Sequence, residues 1–109
     1  MKFNIVTLYN PPSHGASFYQ DLDELLKQLN YSCETIFLGD YNINQVMHKG
    51  RKQKLKTIYS KHNFQQMIKG PTRLTKVSKT LIDLVFTNII ERVTKTYNLI
   101  TGLSDHNMV

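Results

Sequence analysis

The chain has 109 residues, with 14 Lys and Arg against 8 Asp and Glu and a formal net charge of +6. That length suits one small domain and excludes two, while a 40% hydrophobic content excludes a disordered tail. A single cysteine, Cys33, excludes a disulfide framework or a thiolate zinc site and is expected to be a small buried apolar residue.

Residues 2–9 read as a strand of apolar and aromatic residues that Pro11-Pro12 brings to an end. Ser17-Phe18-Tyr19-Gln20 fits a capping box. Phe18, Leu22, Leu25, Leu26 and Leu29 then recur at helical spacing, with Asp21, Asp23 and Glu24 near the helix start. Residues 34–39 form a second expected strand, whose run Thr35-Ile36-Phe37-Leu38 suggests burial on both faces. Residues 50–62 read as a basic helix burying Leu55, Ile58 and Tyr59 and presenting Arg51, Lys52, Lys54 and Lys56 outward. From 64 to 79 no period is sustained, which marks a long loop of the kind that often carries function. Residues 80–87 and 92–100 read as two further strands, and 105–109 as the start of another. No apolar run approaches the roughly 20 residues of a membrane helix. Residues 1–4 lead straight into strand-like sequence, so no signal peptide is expected and the chain reads as intracellular, not secreted. This order mixes parallel crossovers with hairpins, an α/β or α+β layering. Strand-like sequence at both ends further suggests a fragment whose sheet edges need partners.

Charge follows this organisation unevenly. Residues 1–48 carry −3, residues 80–109 carry −1, and residues 49–79 carry +10 with no acid among them. An uncompensated basic stretch is the electrostatic footprint of a polyanion binder, or else a solvated face.

Three of the eight acids fall in short polar clusters just after or within apolar strands: Gly39-Asp40-Tyr41-Asn42, Thr80-Leu81-Ile82-Asp83 and Ser104-Asp105-His106-Asn107. Each alone has a plain reading as a turn or a satisfied buried acid. Asp83 resists it most, because a carboxylate beside Ile82, Leu84 and Val85 is costly to bury without a partner such as a histidine ring. Asp40 and Asp105 offer hard oxygen donors whose mutual repulsion a divalent cation would relieve. Carboxylates, an amide, a histidine and a cation are the parts of metal-assisted phosphodiester hydrolysis.

The ordered blocks Leu8-Tyr9-Asn10-Pro11-Pro12, Leu38-Gly39-Asp40-Tyr41-Asn42, Leu81-Ile82-Asp83-Leu84-Val85-Phe86-Thr87-Asn88 and Ser104-Asp105-His106 resemble the endonuclease/exonuclease/phosphatase (DNase I-like) superfamily. With Gly70-Pro71-Thr72-Arg73 they are most similar to the apurinic-type endonuclease domain of LINE-like non-LTR retrotransposons. The resemblance implies half of a four-layer α/β sandwich, a mixed sheet with flanking helices. Residues 1–109 would be the C-terminal portion of the domain, without its N-terminal half and last strand. It implies Mg²⁺-dependent DNA cleavage as the family activity, expected to be impaired in this truncated chain, and assigns roles by position. Asp40 orients or deprotonates the attacking water, and Asn42 holds that site and the phosphate. His106 stabilises the phosphate, Asp83 orients His106, Tyr9 lies near the phosphate and Asp105 faces the metal. Arg51, Lys52, Lys54, Lys56, Arg73, Lys76 and Lys79 would grip the DNA backbone. The implied partners are DNA, the N-terminal half of the domain and a downstream reverse transcriptase, with a nuclear location and no membrane. The family's metal-binding Glu has no counterpart here, since Glu24 and Glu34 stand on the wrong elements. A truncated, non-catalytic remnant binding nucleic acid weakly, or a phosphatase of the same superfamily, are therefore the competing expectations.

Overall fold

The chain's architecture follows from two apolar strands that can only be covered on the side where helices fall. The computed structural model describes residues 3–12, 14–29, 33–43, 49–89, 93, 95, 96, 98, 99 and 104–109. Strand β1 (Phe3–Tyr9) leads through helix α1 (Ser17–Gln28) to β2 (Glu34–Asp40), which pairs parallel to β1. Helix α2 (Lys49–Ser60) follows, then the short strands β3 (Gln65–Gln66), β4 (Arg73–Leu74) and β5 (Lys79–Thr80), and finally β6 (Asp83–Thr87). The main sheet runs β1-β2-β6-β3, with both β2–β6 and β6–β3 antiparallel; β4 and β5 form a separate hairpin. The fold is thus α+β: a mixed sheet with flanking helices.

Strand alternation divides the main sheet into unlike faces. Phe37, Leu84 and Phe86 point to one side and are buried, and Val6 and Leu8 pack there against Phe18, Leu22 and Leu26 of α1 and Leu55, Ile58 and Tyr59 of α2. An aromatic cluster fills this layer. The Tyr59 and Phe86 rings stack 3.7 Å apart, Phe37 meets Tyr59 and Phe64 edge-on at 5.4 Å, and the Tyr41 and Tyr59 hydroxyls share a 2.5 Å hydrogen bond. Burial raises the pKa of both phenols. The other face stays open along its edge strand, where Phe3 and Ile5 are exposed.

Several expectations are corrected. Ser17 does not cap α1: Ala16 is the N-cap, in helical conformation and without a side-chain bond. The chain already turns helically before it, as Phe18 N–H donates to Gly15 O and Tyr19 N–H to Ala16 O. The first turn of α1 holds no acid, and Asp23 instead pairs with Lys27 at 3.3 Å and with Lys61 beyond the end of α2 at 3.9 Å. Leu25 is exposed at the edge of the stripe, Cys33 is only half-buried, and β2 is covered fully on the helix face alone. The expected strand at 80–87 divides into β5 and β6, and the long loop holds β3 and β4. Much of the strand expected at 92–100 lies outside the described residues, although Leu99 bridges Met108.

Candidate active site

Tyr9, Asp40 and Asp83 occupy one row across three neighbouring strands. Tyr9 is the register partner of Asp40 on the parallel side and Asp83 its partner on the antiparallel side. Like charges directly opposite one another destabilise a sheet unless something intervenes. His106 does so, its Nδ1 lying 2.7 Å from Asp83 Oδ2 and its Nε2 3.9 Å from Asp40 Oδ2. One ligand atom from each of these three residues lies within 4.8 Å of the others. Burial raises the Asp40 carboxyl pKa and the neighbouring Asp83 charge adds to the rise, against lowering by the Asn42 N–H, His106 and Arg73. A groove of about 270 Å³, lined by Asp40, Asp83, Asn107 and the open-face residues Leu38 and Val85, runs beside the cluster.

The chain following β2 is held in a conformation that only a few residue types accept. Asn42 has φ +49°, in the left-handed region Asn tolerates, and its N–H donates to Asp40 Oδ1 at 3.0 Å. Its Nδ2 donates to Asn10 O at 2.6 Å, so this amide ties the loop after β2 to the loop after β1. Asn10 reciprocates, its N–H donating to Asp40 O and its Nδ2 to Tyr41 O, both at 2.8 Å. Before Asp40, a Cβ on Gly39 would stand 2.0 Å from the Leu8 carbonyl oxygen, so only glycine permits this approach of β1 and β2.

Thr72 holds the opposite side. It is fully buried, and its Oγ1 accepts from Asp83 N–H at 3.0 Å and Ile82 N–H at 3.3 Å. Its own N–H donates to Thr80 O, and its carbonyl accepts from Asn107 N–H. One side chain and its backbone thus join the β4–β5 hairpin, the start of β6 and the segment bearing His106. Asn107 Nδ2 adds bonds to Asn98 Oδ1 at 2.9 Å and Pro71 O at 3.2 Å.

Of the expected site residues, Asp40, Asn42, Asp83 and His106 therefore meet. Tyr9 shares the row but is exposed and enters none of these bonds. Asp105 stands outside the three-residue group, its Oδ2 accepting from Arg73 Nε at 2.7 Å; this bond holds the Asp105 carboxyl pKa below its ordinary value. Arg51, Lys54 and Lys56 are exposed on α2 and Lys52 is half-buried there, while Lys76 and Lys79 project from the β4–β5 hairpin. Sequence reasoning missed Thr72, Asn10 and Asn107. For Asn10 the available signal was a polar residue between an apolar strand and two prolines.

A mixed sheet carrying these motifs in order defines a member of the endonuclease/exonuclease/phosphatase superfamily, of the kind found in LINE-like elements. Within it the chain belongs to the endonuclease-reverse transcriptase family, whose profile matches residues 3–109. No curated protein and no solved structure matches it significantly.

Proposed function

We propose that the chain is the C-terminal portion of a DNA endonuclease domain of the retrotransposon type, hydrolysing phosphodiesters with Mg²⁺. The observation that carries this reading is the bridge from Asp83 through the His106 ring to Asp40.

With Nδ1 committed to Asp83, the ring is fixed in orientation and Nε2 is the nitrogen left for substrate. Protonated at Nε2, His106 donates to a non-bridging phosphate oxygen as negative charge grows on it. Asp40, on the Nε2 side of the ring, orients the attacking water and takes its proton. Asn42 and Asn10 hold Asp40 in place, as Thr72 holds Asp83 and His106. Two carboxylates opposed in register and partly buried fit a small hard cation that keeps several waters. Such a cation would neutralise charge on the phosphate and acidify a bound water. Arg73 and the lysines of α2 and the hairpin would bind backbone phosphates. A phosphate competing for Arg73 would leave Asp105 to face the cation.

Supercoiled plasmid incubated with the chain and Mg²⁺ should be nicked, and chelation should stop the nicking. Asp40→Asn and His106→Ala should each slow it about 10²–10⁴-fold. Salt-sensitive retention of DNA without nicking would instead identify a non-catalytic binder, and nicking untouched by both substitutions would remove the cluster from the mechanism.

A further inference from the structure

Two residues beyond Asp40 in sequence, Asn42 lines a second cavity of about 210 Å³, together with described residues after β1 and others of α1 and α2. Arg51 and Lys54 line it, and neither has a carboxylate partner among the described residues. Its aromatic wall is Tyr19, with Lys54 Nζ 5.6 Å from the ring centroid, and His14, edge-on to Phe18 at 5.6 Å. Asn10 also lines it. That side chain is 5% exposed and its Nδ2 is bonded to Tyr41 O, yet its Oδ1 has no hydrogen-bond partner among the described residues.

We infer that this cavity is a nucleotide subsite for the strand engaged at the acid–histidine cluster, an inference that rests on the nuclease reading above. Two cations without a carboxylate partner among the described residues favour a phosphate. The Tyr19 ring, with Lys54 over one face, gives the cavity an aromatic wall against which a sugar or base can pack. The orphan Asn10 oxygen is an acceptor, which the oxygens of a phosphodiester cannot satisfy and an amino or hydroxyl group of a nucleoside can. Asn42 borders the cavity and also bonds the Asp40 carboxylate, so an occupied subsite would fix the strand's register relative to the cluster. Arg51 and Lys54 share this cavity with the buried Asn10 side chain, whereas Lys76 and Lys79 lie on an open hairpin.

The test uses the non-cleaving Asp40→Asn protein and nuclear magnetic resonance of the His14 and Tyr19 rings, titrated separately with a short single-stranded oligodeoxynucleotide, a deoxynucleoside monophosphate and inorganic phosphate. The oligonucleotide should shift both ring signals at the lowest concentration and the mononucleotide at a higher one, while inorganic phosphate leaves the Tyr19 ring unmoved. Arg51→Gln with Lys54→Gln should abolish the shifts and lower the salt slope of DNA binding by about 2. Both residues are exposed, so this variant should melt like the parent. Ring signals unmoved at saturating oligonucleotide, or an unchanged slope in the double variant, would overturn the subsite. Ring shifts in a chain whose wild type never nicks DNA would uphold the subsite while removing the nuclease reading, and nicking with silent rings would do the reverse.

Discussion

The helix-covered face of the sheet and the strand ends bearing the acid–histidine cluster are built by different forces. On the covered face Phe37, Leu55, Tyr59, Leu84 and Phe86 are almost wholly buried, and each is held by several neighbours at once. At the strand ends Asp40, Asn42, Asp83 and His106 are only half-buried, and position is set by single directional bonds, several of them from the buried polar residues Asn10 and Thr72: Asn10 with Tyr41, Asn42 with Asn10, Thr72 with Asp83, Asp83 with His106. The cluster is therefore placed precisely at small cost in apolar surface, leaving its polar groups accessible. The difference also means that the two regions should fail separately.

Phe37→Ala should give the largest loss of stability, about 3–5 kcal/mol, since it removes a fully buried ring with edge contacts to Tyr59 and Phe64. A urea melt reads this, and a loss below about 1 kcal/mol would mean the face is not the main stabilising layer. Gly39→Ala tests the junction between the regions. Its new methyl would meet the Leu8 carbonyl oxygen, forcing β1 and β2 apart at a cost of about 1–3 kcal/mol or more, and nicking should fall together with stability. Thr72→Val keeps the shape and deletes the acceptor of two N–H groups, costing about 1–3 kcal/mol. Nicking should fall further than stability explains, because Asp83 and His106 both lose alignment; equal losses would make Thr72 a core residue only.

The smallest effects are those of pH. Burial raises the pKa of Asp40, so the folded chain holds a proton there that the unfolded chain has released. Its contribution in the metal-free chain makes stability decline as pH rises from the ordinary carboxylate value through the raised one. Asp105 acts oppositely. Its bond to Arg73 lowers its pKa, so its contribution is present above the ordinary carboxylate value and is lost as pH falls through the lowered one. Melts at stepped pH should show Arg73→Gln removing the Asp105 contribution and Asp40→Asn removing the opposing one.

The cluster was legible in sequence because it consists of chemical exceptions: a carboxylate within the apolar run at Asp83, an acid following an apolar strand at Asp40, and a histidine in the polar block Ser104-Asp105-His106. The covered face was legible through its periods, which gave Phe18, Leu22, Leu26, Leu55, Ile58 and Tyr59 correctly as core. Bonds between distant residues leave no such trace. Thr72 looks like any loop threonine until the hairpin brings it against Asp83, and the pairing of Arg73 with Asp105 spans 32 positions. Strands as short as β3, β4 and β5, two residues each, cannot show a period at all. Ser17 illustrates another limit: the chain turned before it, and the residues responsible, Gly15 and Ala16, contribute backbone carbonyls rather than side chains.

The hydroxyl bond between Tyr41 and Tyr59 has an optical consequence. Both phenols are buried and both have raised pKa values, so neither can become phenolate while the aromatic layer is closed. Alkaline titration followed by tyrosinate absorbance should then end in a second, late phase, in which these two ionise as the layer opens. Tyr41 directly follows Asp40, so that second phase would time the release of the cluster's own loop from α2, without any added label.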